Sequence, residues 1–171
     1  MKPTLTIMAR QYWPSRFGGL EHVLWELSNA LVNLNIDLTV LTQRQPGEPR
    51  TQYPRPGLRI GRLSPADPRR LWRINDLIQV RWWIKALQHA PSDGWLWANE
   101  PTAAAAAILT GRGHQLLYRP VFCYDAMHRV GKTHPEMRDY KRPRLSRWLD
   151  RRCYHRAAVV VDESNNLREQ H

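Results

Sequence analysis

The stretch LTIMARQYWPSRFGGLEHVLWELSNALVNLNIDLTVLT, residues 5–42, decides the fold. The beginning of this stretch overlaps a short apolar run, residues 4–9, which predicts a buried strand. After a loop at 11–19, apolar residues recur at helical spacing through 20–34 and predict an amphipathic helix. A second strand is predicted at 37–42. A strand, a helix and a strand in this order form a βαβ unit with parallel strands.

The rest of the chain continues this alternation, apart from residues 43–57, which are rich in Pro, Gly, Gln and Arg and predict a loop. The pattern predicts further strands at 58–63, 95–98, 115–122 and 157–161, and helices at 69–89, at 102–109 and in the basic region that restarts at Pro143. We therefore expect an α/β fold, a Rossmann-like parallel sheet with helices on both faces and strand order 3-2-1-4-5-6. No internal boundary is evident, and residues 1–171 are interpreted as a single domain.

The composition limits which partners and which cellular location are expected. A net charge of +11 attracts anions such as phosphates, nucleic acid or acidic lipid head groups. Cys123 and Cys153 show no CxxC spacing, which indicates free thiols in a reducing cytoplasm. No apolar run approaches the roughly 20 residues of a membrane span. We expect a cytoplasmic protein, either soluble or peripheral at the inner face of the membrane.

The best local signal for a ligand is the glycine pair Gly18-Gly19, between the first strand and the first helix. Open α/β sheets bind ligands at this position. Without Cβ atoms the backbone N–H groups can approach a phosphate, and the helix N-terminus adds partial positive charge. Neither GxGxxG nor GxxxxGK[ST] is present, which argues against a dinucleotide fingerprint and a P-loop. The pair alone is equally typical of a tight turn, and Glu21 suits the helix N-terminus with or without a ligand.

The whole stretch is more specific, because residues 5–42 resemble the opening of family 4 glycosyltransferases. Those proteins begin with a hydrophobic strand, an aromatic-Pro pair, a GG-x-E turn, a helix and a strand that ends in V-x-T. The segment WANEP at 97–101, which precedes a row of alanines, resembles another element of the family. VVVDESNNL at 159–167 resembles a segment near the close of its N-terminal domain.

The resemblance implies one half of a GT-B architecture, with the N-terminal, acceptor-side domain present and the C-terminal donor-binding domain absent from this sequence. It further implies transfer of a hexosyl group, with retention, from a nucleotide-sugar to a saccharide or lipid-linked acceptor, with no metal or other cofactor. The donor domain would act in cis or in trans, and the isolated chain is expected to be inactive. The alternative is a non-catalytic remnant or partner subunit that binds an anionic lipid or sugar and pairs with a separate donor domain.

The family pattern also implies roles for individual residues. Gly18 and Gly19 match the loop that contacts the donor phosphates. The acceptor side is expected to include Tyr12, Trp13, Arg16, Phe17, Asn99 and Glu100. A family histidine after the fifth strand is replaced here by Tyr124, and Asn99 stands where another histidine is often found. The catalytic candidates are Tyr124, Asp125 and His128, and no general base is assigned.

Two other kinds of site fit the sequence poorly. Asp125, His128 and His134 have loose loop spacing, unlike the firm ligand patterns of metal sites, so no metal is expected. A serine hydrolase is not indicated, because no GxSxG turn is present.

The region from Arg129 to Arg156 is strongly basic, with ten Lys and Arg against three acidic residues. An inward stripe is predicted at Leu145, Trp148, Leu149 and Cys153. Arginines also surround the tryptophans of the preceding helix, Trp72, Trp82 and Trp83. This mixture suits an anionic membrane surface, and equally a solvated basic face over core tryptophans. Nucleic acid is not expected, because no helix-turn-helix, zinc-finger or RNP signature is present.

Overall fold

The structure is a computed structural model, and it describes residues 2–14, 18–65, 75–120 and 144–161. The described strands are β1 (Thr4–Met8), β2 (Asp37–Gln43), β3 (Thr51–Arg55), β4 (Leu58–Leu63), β5 (Trp95–Ala98), β6 (Leu116–Tyr118) and β7 (Val159–Val160). The described helices are α1 (Gly19–Asn33), α2 (Asn75–Leu87), α3 (Pro101–Leu109) and α4 (Arg144–Arg156), with a 3₁₀ turn at Gly113–Gln115.

The strands form a sheet of seven in the order β3-β4-β2-β1-β5-β6-β7. The βαβ unit at the start of the chain is confirmed, because β1 pairs with β2 in parallel from Thr4 opposite Asp37 to Met8 opposite Leu41. The six strands predicted from the sequence follow the predicted order 3-2-1-4-5-6, and β3 is added outside them. The α/β class and the Rossmann-like arrangement are therefore confirmed.

The chain divides into two compact units, each described here by itself. The first comprises Met1–Asp67 and Lys85–Trp97, and the second Pro68–Ile84 and Ala98–His171. In the first unit, the middle of β1 and of β2 is buried on both faces, as parallel strands require. Helix α1 buries Leu24 and Ser28.

The prediction of a continuous loop at 43–57 was wrong, because β3 lies within it. β3 pairs antiparallel with β4, with Thr51 opposite Gly61, and Pro56-Gly57 connects the two strands. Gly57 has φ of +81°, a conformation that favours glycine in tight turns. Pro54 lacks an N–H, which an outer strand tolerates because one of its edges has no neighbour.

In the second unit, α3 packs against α4 and β6. Its five alanines, Ala103–Ala107, are all buried, as expected for a helix in close contact with its neighbours. On α4, Leu149 and Cys153 are buried. The predicted inward position of Trp148 was wrong, since this side chain is 53% exposed. It points outward, where the Arg152 guanidinium lies 5.4 Å from its ring centre in a cation–π contact.

In the described part of the chain, no helix is long and apolar enough to cross a membrane. The beginning of the predicted helix at 69–89, the end of the predicted strand at 115–122 and most of the basic region before Arg144 lie outside the described residues.

Candidate functional site

The candidate phosphate loop is the connection from β1 to α1. Helix α1 begins at Gly19, and Gly18 is its N-cap in extended conformation, with φ of −144° and ψ of 164°. No side chain of the described residues caps this end of the helix by a hydrogen bond, and the first intrahelical bond joins His22 N to Gly18 O at 3.1 Å. The helix dipole gives the N-terminus of α1 a partial positive charge, which favours an anion.

The two glycines of this loop differ in their surroundings. A Cβ atom built on Gly19 would meet no atom of the described residues within 4 Å, whereas one built on Gly18 would collide with the carboxylate of Glu21. Gly19 therefore has open space for an approaching ligand. Gly18 provides room for Glu21, whose negative charge lies at the helix N-terminus.

Tyr12 is a core residue of the first unit. Its side chain is fully buried, and its hydroxyl donates to Ser28 Oγ at 2.7 Å, which in turn donates to Leu24 O at 2.6 Å. Burial raises the pKa of Tyr12 to about 12. The residue ties the loop to α1 and presents no surface to an acceptor.

Trp13 remains compatible with the predicted acceptor side, because it is half-buried in the same loop. Its ring packs on that of Trp25 from α1, with 4.4 Å between the ring centres. The loop therefore presents a supported aromatic surface.

In the second unit, Asn99 and Glu100 directly follow β5, at the end of the strand where open α/β sheets bind ligands. Asn99 is buried, and Glu100 is the half-buried N-cap of α3. Glu100 Oε1 accepts a hydrogen bond of 2.8 Å from Nε1 of Trp83, a fully buried residue of α2. A carboxylate is thus held in a fixed orientation at the start of α3.

The hydrogen bond from Trp83 to Glu100 was not predicted from the sequence, in which Trp83 is only one residue of an aromatic and basic face. The 17 positions that separate Trp83 from Glu100 carry no local pattern that pairs them.

The remaining predicted residues Arg16, Phe17, Tyr124, Asp125 and His128 lie outside the described residues, as does His134. Their roles stay predictions. Of the described candidates, Tyr12, Trp13, Gly18 and Gly19 belong to the first unit, and Asn99 and Glu100 to the second.

A second feature that the sequence reasoning missed is a cavity of about 400 Å³ in the first unit, which we name the arginine cavity. Its lining residues are Leu41, Arg44, Arg50, Thr51, Arg59, Gly61, Arg62, Leu63, Ser64 and His89. Arg44 and Arg50 were noted only as part of a polar loop. The pairing of β3 with β4, which the sequence did not reveal, brings Arg50 and Thr51 beside β4.

Comparison with protein families matches residues 17–171 to Glycosyltransferase Family 4. Among curated proteins, the chain is similar to a 2-deoxystreptamine N-acetyl-D-glucosaminyltransferase from Streptomyces fradiae. The two are 30% identical over an alignment that covers 50% of this chain and 25% of the relative.

Two solved structures have a similar fold. Sucrose-phosphate synthase from Thermosynechococcus elongatus superposes with a TM-score of 0.71 and 14% identity, covering 93% of this chain and 42% of that protein. A structure from E. coli, described as trehalose-6-phosphate bound with UDP-2-fluoro glucose, has a TM-score of 0.54, 11% identity and coverage of 98% and 41%. The chain thus spans a quarter of the curated relative and about two fifths of each solved structure.

Proposed function

This chain belongs to glycosyltransferase family 4, and from that premise we propose that it supplies the N-terminal, acceptor-side domain of an enzyme that transfers a sugar. The donor is a nucleotide-sugar and the acceptor a saccharide or a lipid-linked saccharide. The E. coli structure holds a UDP-sugar analogue, and the Streptomyces relative is named for transfer of N-acetyl-D-glucosamine, which supports these substrate classes. The observation that carries the proposal is the open backbone at Gly19, at the uncapped start of α1.

In the proposed reaction, the donor diphosphate approaches α1 from the side of Gly19. The backbone there offers hydrogen-bond donors, and the helix dipole stabilises negative charge that increases on the leaving nucleotide as the glycosidic bond breaks. Glu21 occupies the space over Gly18, so the side of Gly19 is the one left for the phosphates. Most of the nucleotide would be held by a donor domain in cis or in trans.

The acceptor is proposed to meet the second unit at Glu100. The carboxylate accepts a hydrogen bond from an acceptor hydroxyl, and Trp83 acts as a positioning residue because its indole N–H fixes Glu100 Oε1. The transfer proceeds with retention, and an oxygen of the donor phosphate takes the acceptor proton. No metal and no basic side chain of this chain is needed for that step.

The test is the substitution Gly19→Ala in the chain assayed together with its donor domain, whether that domain acts in cis or in trans. Alanine favours a helical position and meets no atom at Gly19, so the folding stability is maintained or raised. A methyl group nevertheless blocks close approach of a phosphate. We expect the donor KM to rise about tenfold, since a hydrogen bond to a charged group contributes about 1.5–3 kcal/mol.

Val23→Ala, at a 48% exposed position of the same helix, serves as the matched control and should leave the donor KM unchanged. Steady-state kinetics with varied nucleotide-sugar, together with thermal denaturation of each variant, make the measurement. An unchanged donor KM in a folded Gly19→Ala variant contradicts the assignment of Gly19 to the donor phosphates.

A further inference from the structure

The arginine cavity has a floor that sequence and strand register explain. Gly61 of β4 lies between Leu41 of β2 and Thr51 of β3, its register partners on either side. Because Gly61 has no side chain, the floor of the cavity is low at this position, and the Leu41 side chain takes part of the space, since a Cβ atom on Gly61 would lie 3.2 Å from Leu41 Cδ2. Arg59 and Leu63, two positions away on the same strand, share this face of the sheet.

The charge of the cavity is one-sided. Among the described residues, its lining contains four arginines and one histidine and no acidic residue. Glu48, outside the lining, partly compensates Arg62, with 3.3 Å between Glu48 Oε2 and Arg62 Nε. Arg62 also donates from Nη1 to Gln52 Oε1 at 2.9 Å. Arg62 is therefore bound in the wall of the cavity, its side chain only 1% exposed.

The other three arginines carry the uncompensated charge. Arg59 donates to the carbonyl of His89 at 3.5 Å, while its buried Nε has no hydrogen-bond partner among the described residues. The side chains of Arg44 and Arg50 form no hydrogen bond or ion pair within the described part of the chain. Guanidinium groups concentrated in one recess without carboxylates attract an anion.

The placement of the cavity also suits a ligand. Arg44 follows the end of β2 and Ser64 the end of β4, and ligands of open α/β sheets bind outside the carboxyl ends of the strands. A volume of about 400 Å³ lies within the range of small-molecule sites. A concave recess of this size suits a compact ligand better than a polymer or a membrane surface.

We infer that the arginine cavity is a binding site for a phosphate-bearing small molecule. The planar guanidinium groups of Arg44, Arg50 and Arg59 hold the phosphate by paired, charge-assisted hydrogen bonds. The phosphate group is shared by two sources, a phosphorylated sugar and the diphosphate of a nucleotide. This inference goes beyond the proposed function, because binding here does not require sugar transfer or the residues assigned to it.

Isothermal titration calorimetry on the full chain tests the site, with pyrophosphate, glucose 6-phosphate and UDP as probes and glucose as the neutral control. We expect at least one phosphate probe to bind, and glucose not to bind. The double variant Arg44→Gln/Arg50→Gln should weaken that binding about tenfold or more, through the loss of charge-assisted hydrogen bonds. A tighter complex with glucose 6-phosphate identifies a sugar phosphate as the source, and a tighter complex with UDP identifies a nucleotide.

The matched control for charge is a double variant with the same loss, Arg55→Gln/Arg81→Gln. Arg55 lies on β3 and Arg81 on α2, and neither lines the cavity. This control variant should leave the affinity for the phosphate probe within about twofold, because salt screens the effect of charges that lie far from the cavity. Equal weakening in both double variants, or no binding of any phosphate probe, overturns the inference.

A second measurement does not depend on how a variant folds. Phenylglyoxal modifies accessible arginines of the unmodified chain, and peptide mass spectrometry reports each site. Pyrophosphate should slow the modification of Arg44 and Arg50 while Arg55 reacts at an unchanged rate. Equal protection of all three arginines indicates diffuse charge and contradicts a defined site. Neither assay measures sugar transfer, so the inference and the proposed function fail separately.

Discussion

At the scale of single residues, buried polar groups hold the second unit together around Cys153. The thiol lies 3.5 Å from the carbonyl of Pro101, at the start of α3. One helical turn earlier on α4, the buried Asp150 accepts a hydrogen bond from the hydroxyl of Tyr118. Burial, and next the negative charge of Asp150, raise the pKa of Cys153 from 9.0 to about 12. The native protein therefore keeps this thiol protonated.

This shift predicts a pH dependence with a definite sign. Above pH 9 an unfolded chain loses the Cys153 proton while the folded chain retains it, so this group's contribution to stability falls as the pH rises towards 12. At pH 8.5 we expect native Cys153 to react with iodoacetamide more than about tenfold more slowly than in urea-unfolded protein, because the thiolate is the nucleophile. Peptide mass spectrometry over time measures the rates. Comparable rates in the two states would show that the thiol is not buried and that its pKa is not raised.

At the scale of elements, the hairpin of β3 and β4 depends on its turn. Gly57 connects the strands with φ of +81°, and a Cβ atom at this position would lie 3.3 Å from Val32 Cγ1 of α1. Gly47 has nearly the same φ, +84°, in a loop with no atom within 4 Å of its Cβ position. The two glycines share a positive φ and differ in the atoms that surround them.

Gly57→Ala should therefore destabilise the protein more than Gly47→Ala. The left-handed conformation costs an L-residue about 1–2 kcal/mol at either site, and only Gly57→Ala adds the contact with Val32. Urea denaturation of both variants gives the free energies of unfolding. A loss at Gly47→Ala equal to or larger than that at Gly57→Ala contradicts this account of the turn.

The same elements show how far a sequence can predict this fold. The helical spacing of apolar residues predicted α1, and the short apolar runs predicted the parallel strands. Both signals lie within the residues of the element itself, because its buried positions are apolar. β3 was not predicted because three of its five residues are exposed, so its sequence contains no apolar run. Its stability comes from pairing with β4. The outward position of Trp148 was not predicted for a related reason, since helical spacing alone does not distinguish the buried side of α4 from the side where Arg152 covers the ring.

The candidate site was predictable only in part. The position of the glycine loop follows from the order of strand and helix, but the difference between Gly18 and Gly19 depends on where the Glu21 side chain lies. Glu100 was singled out by resemblance, whereas its hydrogen bond to Trp83 requires α2 and the start of α3 to be in contact. The first gap comes from the orientation of a side chain only three positions away, and the second from a contact between residues distant in sequence. The basic face of α4 as a membrane surface stays a prediction.

At the scale of the whole molecule, the chain carries elements that the proposal divides between donor and acceptor, and it spans only part of its relatives. In the proposed reaction most contacts with the nucleotide come from a donor domain. Binding energy from the remote parts of a substrate is needed to accelerate the chemical step. A domain that contacts only the phosphates of the donor should therefore be a poor catalyst by itself.

We accordingly expect the isolated chain to show negligible sugar transfer, less than about 1% of the rate that it reaches together with its donor domain and with the same donor and acceptor. Chelation of metals with EDTA should leave the rate reached with the donor domain within about twofold, since no step of the proposed reaction uses a metal. Release of the nucleotide in a coupled assay gives both rates. Robust turnover by the isolated chain contradicts the proposed division of roles, and so does loss, on addition of EDTA, of the activity reached with the donor domain.

The outer strand β3 has a further consequence for how the protein behaves at high concentration. Exposed sheet edges recruit strands from other molecules and so begin aggregation. Pro54 interrupts the row of backbone donors on β3, and the pairing with β4 is irregular between Gln52 and Arg55. These features make that edge a poor template for a foreign strand, so the hairpin protects the newly made protein from self-association through this side of its sheet.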